Sequence, residues 1–210
     1  MSKSKGNILN PIEIIDTYGI DELRYYLMKE VSHGTDGSIS LKNLESCINS
    51  DLANNYGNLC QRVFAFIKNN CQNKVVKTKK VSNKDEQLIE QTKKLTNDLR
   101  EKMNNQNLNE YIKSVINISF LTNKYINDEE PWRLKKTNVH KMNNILYLSL
   151  EQIAKISILL NPIIPKATLK VLNALNIQSE SINLSFLDGE KIFKNEIRIK
   201  ELKILFKKTS

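Results

Sequence analysis

The sequence predicts an all-α fold, an antiparallel helical bundle, on three observations. Apolar residues recur at spacings of three and four through long segments between Leu44 and Leu160. Those segments are joined by short or medium connections, a pattern that packs helices antiparallel on their apolar stripes. Two of them run into abrupt stops, Asp128-Glu129-Glu130-Pro131 and Asn161-Pro162, where proline cannot continue a helix. Each buried Leu or Ile contributes roughly 1.5–3 kcal/mol, so the stripes can hold such a bundle together.

The elements follow in order. Residues 1–9 are expected to form a short Ser/Lys/Gly loop. Residues 10–43 form a small connective unit: an apolar patch of Ile12, Ile14, Ile15 and Tyr18, then a helix that Asp21 is placed to cap, carrying Leu23, Tyr25, Tyr26, Leu27 and Val31. That helix is expected to stop near His33-Gly34, with a turn at Asp36-Gly37 and a short extended piece from Ile39 to Asn43. The bundle is expected over 44–176. Its first helix carries Ile48, Leu52, Tyr56, Leu59, Val63, Phe66 and Ile67. The second, from about Ser82 to Lys102, carries Leu88, Leu95 and Leu99. The third runs from Leu108 to Ile126 and the fourth from Met142 to Leu160. A fifth, shorter helix starts near Pro165 and buries Leu169, Leu172 and Leu175. Residues 177–210 form a basic extension. There Ile182, Leu184 and Phe186 alternate before Asp188-Gly189, which suggests a short β-hairpin back to Ile192-Phe193.

Composition excludes several classes. No apolar run is long enough to cross a bilayer, and no apolar stretch with a cleavage site opens the chain. Cys47, Cys60 and Cys71 are widely spaced with no C-x-x-C pair, and His33 and His140 lie far apart. No metal site and no disulfide framework is therefore expected, and a cytoplasmic location fits. The formal net charge is +9. Residues 68–84 hold six lysines and no acid, and residues 191–210 hold seven Lys/Arg against Glu196 and Glu201. Such runs are either solvated loops or patches suited to a polyanion such as RNA.

Three groups of residues carry possible chemistry. Ser2-Lys3-Ser4, followed by Lys5-Gly6, has the makings of a phosphate clamp: an ammonium and hydroxyls for phosphoryl oxygens, and a glycine for close backbone approach. It also has the composition of an ordinary flexible terminus. Asn58 and Arg62 lie four apart on one helix face, flanking the buried stripe. They are either surface residues or an amide and guanidinium that read base edges. Trp132, in Pro131-Trp132-Arg133 at a helix junction, is either a hydrophobic plug or a stacking platform for an unstacked base.

The segments MSKSKGN, NPIEIIDTYGIDELRYYL, SHGTDGSIS, NSDLANNYGNLCQR, NDEEPWRLKK and LLNPIIPKAT, in that order from Met1 to Thr168, resemble the C-terminal part of bacterial methionyl-tRNA synthetases, class I aminoacyl-tRNA synthetases. The chain starts on the methionine of their Lys-Met-Ser-Lys-Ser signature loop. The resemblance implies that Lys3, with Ser2 and Ser4, belongs to the clamp that steadies the ATP phosphates. There the methionine carboxylate attacks the α-phosphorus and pyrophosphate leaves, with charge stabilisation at the heart of the step. It implies that the bundle binds the CAU anticodon of methionine tRNA, Trp132 stacking on the cytosine while Asn58 and Arg62 bond its edge and neighbours. The synthetases for isoleucine, leucine, valine and cysteine share the loop-then-bundle layout but lack this Asn/Arg/Trp set.

The family's nucleotide-binding domain, with its His-Ile-Gly-His-type motif, methionine pocket and zinc-bearing insertion, is not among these residues. ATP with Mg2+ is therefore expected to act in the intact enzyme and not to bind this chain tightly. The expected partners are methionine-acceptor tRNA and a catalytic domain, in cis or as a separate chain, with no membrane and no DNA. The expectation is methionine–tRNA ligase chemistry by family, with anticodon recognition residing in this chain and no aminoacylation by it alone. A stand-alone RNA-binding bundle and a gene remnant without function are the alternatives.

Overall fold

A computed structural model describes residues 10–30, 40–78 and 82–209. The chain is dominated by helices, as the apolar spacing requires. Helices α1 (Pro11–Tyr18) and α2 (Ile20–Glu30) form the connective unit. Asn10 caps α1 by accepting from Ile12 N, with Pro11 at the first helical position, where its missing N–H costs nothing. Only Ile14 of the expected apolar patch is fully buried, and Ile12 is exposed. Asp21 does not cap its own helix. It lies inside the first turn of α2, buried, and its Oδ2 accepts from Ala167 N at 2.7 Å, so it caps a helix far along the chain. Burial, the largest influence, raises its pKa despite that bond. Arg24 reinforces the same junction by donating to the carbonyls of Pro162 and Ile163.

The first bundle helix is one long rod in three windings: α3 (Leu41–Cys47), a π-helical stretch π1 (Ile48–Gly57) and α4 (Asn58–Asn70). Ser40 caps it by accepting from Asn43 N, so Leu41–Asn43 are helical where an extended piece was expected. Ile48, Leu52, Tyr56, Leu59, Val63 and Ile67 are buried as the spacing predicts, but Phe64 takes the core position expected of Phe66. Gly57 permits a close approach at the end of π1. A Cβ there would stand 2.8 Å from the Leu52 carbonyl oxygen and 3.2 Å from the ring of Phe206.

Strand β1 (Lys74–Val76) follows, then α5 (Asn83–Thr96) and α6 (Leu99–Asn104). The single helix expected from Ser82 to Lys102 is therefore broken at Asn97-Asp98, residues that favour local turns over helix interiors. Helices α7 (Leu108–Glu129), α8 (Val139–Leu160) and α9 (Pro165–Ala174) match the periodic segments. Helix α8 is the central member, with buried residues on most of its surface from Asn144 to Leu160.

The tail forms two short 3-10 turns, Ser179–Ser181 and Ser185–Asp188, the second closed by Gly189 in the left-handed region. The local hairpin is thus replaced by a long-range pair. Strand β2 (Glu196–Arg198) runs antiparallel to β1, with Val75 opposite Ile197. Both of these residues are buried, so the pair is secured by the core rather than by a tight turn. Beyond β2 the chain runs back along the long rod. Ile199 N bonds to Asn73 O, Lys68 pairs with Glu201, Phe206 packs on Tyr56 and Thr209 bonds to Asn49. Among the described residues no helix is long and apolar enough to cross a membrane.

Candidate nucleic-acid interface

The corner after α7 is built by three consecutive residues. Glu130 takes a left-handed conformation (φ 44°) and donates its N–H to Ile126 O, which ends the helix. Pro131 then opens the 3-10 turn Pro131–Leu134 and is buried. The next side chain, Trp132, is thereby turned outward and is 40% exposed. It is not a plug under a loop.

The underside of this corner is held by buried polar contacts. Glu129 carries ion pairs to Lys84 of α5 (2.8 Å) and Lys141 of α8 (2.7 Å). Burial works against its charge, but the bonds from Lys141 and Lys84 outweigh it, and its pKa falls below the ordinary value. One layer inward, Asp85 accepts from Tyr125 Oη (2.5 Å) and Asn144 Nδ2 (2.6 Å) while closing a capping box with Ser82 at the start of α5. Helices α5, α7 and α8 are thus fixed to one another around the C-terminal end of α7, from which the Trp132 turn follows.

The outer side is different. Arg62, half-buried on α4, donates from Nη2 to Asn127 Oδ1 at 2.7 Å, and its guanidinium carbon stands 5.8 Å from the centroid of the Trp132 ring. Asn58 lies one turn earlier on the same helix, half-buried, and makes no side-chain hydrogen bond among the described residues. The rod's change of winding matters here. In π1 residues four apart fall short of a full turn and in α4 they overshoot it, so Asn54, Asn58 and Arg62 stay nearly in line.

The structure therefore gathers Arg62 and Trp132, far apart in sequence, and sets Asn58 beside them. Sequence reasoning missed Asn127, which fixes the guanidinium, and Glu129, which read only as part of a helix-ending acidic cluster. A clue to Asn127 was its place near Trp132 at the end of a long amphipathic helix. Ser2, Lys3 and Ser4, together with the expected turns at His33-Gly34 and Asp36-Gly37, lie outside the described residues. Of the two basic runs, β1 and β2 bring parts together: Lys74 and Arg198 both bond to Glu196 and neutralise part of the charge.

An aromatic face, a guanidinium with donors still free and a half-buried amide without a side-chain partner among the described residues suit an unstacked base: the indole for its face, the others for its edge. Comparison with known proteins agrees in kind. Residues 1–64 match the family "tRNA synthetases class I (M)", and residues 75–209 match "Anticodon binding domain of methionyl tRNA ligase". The bundle is thus an anticodon-binding domain of the class I aminoacyl-tRNA synthetases. The methionine–tRNA ligase of Rickettsia felis is 38% identical over 201 residues, covering 94% of this chain and 38% of that protein. That of Brucella suis is 36% identical over 180 residues, covering 86% and 35%. The crystal structure of Mycobacterium tuberculosis methionyl-tRNA synthetase bound by methionyl-adenylate superposes with a TM-score of 0.90 at 26% identity, over 99% of this chain and 41% of that one. The chain belongs to the methionyl-tRNA ligase family, and it spans little more than a third of the length of these curated relatives.

Proposed function

We propose that this chain recognises the anticodon of methionine-acceptor tRNA, as the part of a methionine–tRNA ligase that selects the substrate for ATP-dependent attachment of methionine. The observation that carries the reading is the arrangement of Trp132 and Arg62, with the indole presented outward at the helix corner and the guanidinium held over its ring by Asn127. In this reading Trp132 stacks on the first base of a CAU anticodon. Arg62 keeps one edge on Asn127 and turns its remaining donors to base acceptors, and Asn58 supplies both a donor and an acceptor one turn away.

The aminoacylation chemistry requires a nucleotide-binding catalytic domain, joined in cis or supplied by a separate chain. ATP and Mg2+ would act there. This chain's contribution would be Lys3, with Ser2 and Ser4, at the phosphates. The setting is the cytoplasm, where tRNA is charged.

Binding of methionine-acceptor tRNA is compared with binding of the same tRNA carrying an altered anticodon. Tighter binding of the CAU form is expected, and equal affinity for both sinks the reading. In charging assays the chain alone is expected to be inactive, and detectable methionylation by it alone contradicts the division of labour proposed.

A further inference from the structure

Helix α7 presents one large aromatic side chain that neither the core nor the Trp132 site uses. Phe120 is 48% exposed in the middle of a helix whose opposite faces pack on α5, α8 and the rod. Burying a phenylalanine stabilises a fold, so one left outward in an otherwise well-packed helix is informative. It precedes Asn127 by seven residues. Two helical turns separate them, so both project from the same face, about 10.5 Å apart along the axis.

The surroundings of Phe120 are polar rather than apolar. Asn123 lies between it and Asn127 and donates to the carbonyl and side-chain oxygens of Asn55, which ties α7 to π1 at this level. Asn54 on π1 is exposed beside that contact. Lys124 is exposed one turn beyond Phe120, and Lys113, two turns before it, is exposed but paired with Glu110 at 2.7 Å. The seam between π1–α4 and α7 is therefore an amide-lined track with an outward aromatic ring partway along it and a second, Trp132, at its end. An apolar protein partner would require apolar neighbours around Phe120. Amides and lysines interleaved with single aromatic rings match a single-stranded nucleic acid, whose bases stack while its edges and phosphates take the polar groups.

We propose that Phe120 is a second stacking platform, taking a base of the same RNA loop that lies outside the triplet read at Trp132. The inference rests on the anticodon reading above. The base stacks on the ring, the exposed amide of Asn54 and the half-buried amide of Asn58 meet base or sugar edges, and Lys124 lies within the field of the backbone.

The test uses the 210-residue chain and an anticodon stem-loop of methionine-acceptor tRNA carrying 2-aminopurine at each loop position in turn. Phe120→Ala is expected to weaken binding roughly 5- to 150-fold, the span of one lost aromatic–base stack. It is also expected to restore fluorescence at one position outside the triplet, whereas Trp132→Ala restores it within the triplet. Phe120→Tyr should bind like the parent, and Phe120→Leu, which keeps apolar bulk without a π face, should behave like the alanine variant. If Trp132→Ala weakens binding while both Phe120→Ala and Phe120→Leu leave affinity and every fluorescence signal unchanged, the Phe120 proposal is overturned and the anticodon reading stands. If neither Trp132→Ala nor Phe120→Ala changes binding, the anticodon reading itself fails and takes this proposal with it.

Discussion

The two sides of the Trp132 corner are built on opposite principles. Below the indole, Asp85, Tyr125, Asn144, Glu129, Lys84 and Lys141 bond to one another across three helices. Above it, Arg62 bonds to Asn127 and lies over the Trp132 ring, Asn58 is half-buried without a side-chain hydrogen bond among the described residues, and Trp132 and Phe120 are partly exposed. In the proposed reading, stability and recognition fall to different residues of one corner. A platform that stacks a base must not move, and its rigidity comes from the polar layer beneath it. The groups that meet the base must remain unsatisfied until it arrives, because a donor already paired inside the protein offers nothing to a ligand.

The largest effect should come from the lower side. Asp85→Ala leaves Tyr125 Oη and Asn144 Nδ2 buried without their acceptor and opens the capping box of α5. Two orphaned donors and a lost cap should together cost about 3 kcal/mol of unfolding free energy, measured by urea titration. A loss of under about 0.5 kcal/mol, the level of an ordinary surface substitution, would show that the layer is not what holds the corner. On the outer side the effect should move to binding. Trp132→Ala should cost about 1–3 kcal/mol of affinity for methionine-acceptor tRNA while its urea midpoint stays with the parent. A Trp132→Ala chain that unfolds as easily as Asp85→Ala would erase the division between the two sides.

How far this division can be read from sequence differs from one side to the other. The apolar stripes of α7 and α8 are legible because spacing of three and four has one common solution, burial of a helical face, and Pro131 and Pro162 mark their ends. Asn58, Arg62 and Trp132 stand out through the family resemblance, since an exposed Asn and Arg on a helix carry little signal of their own. The polar layer is not legible. Asp85 reads as an ordinary acidic residue at a helix start, and nothing local reveals that Tyr125 and Asn144 converge on it. Asp21 fails in the same way: its position suggests a local cap, while its real acceptor role toward Ala167 depends on tertiary packing. The π winding escapes because Ile48, Leu52 and Tyr56 at spacing four fit an α-helix equally well. The β1–β2 pair escapes because three-residue strands are too short to show alternation.

The smallest expected effect lies in the pH dependence of the lower side, and it tests whether Glu129 acts there through its charge or through its shape. Its pKa in the folded chain lies below the ordinary 4.5, because Lys141 and Lys84 outweigh the cost of burial. A carboxylate depressed on folding contributes stability that is fully present above its unfolded pKa and is lost as pH falls through the folded value. The parent should therefore lose stability between about pH 5 and the lower folded value, and part of that loss belongs to Glu129. Glu129→Gln keeps the shape and one acceptor oxygen but sets an amide NH2 against the other lysine, as the protonated acid would set its hydroxyl, and it carries no charge to titrate. Its urea midpoint should sit below the parent's at pH 7 and approach it as the pH drops below 4. Parallel curves for the two proteins across that window would mean that the ion pairs contribute nothing beyond hydrogen bonds. The rigidity beneath Trp132 would then rest on Asp85 and its partners.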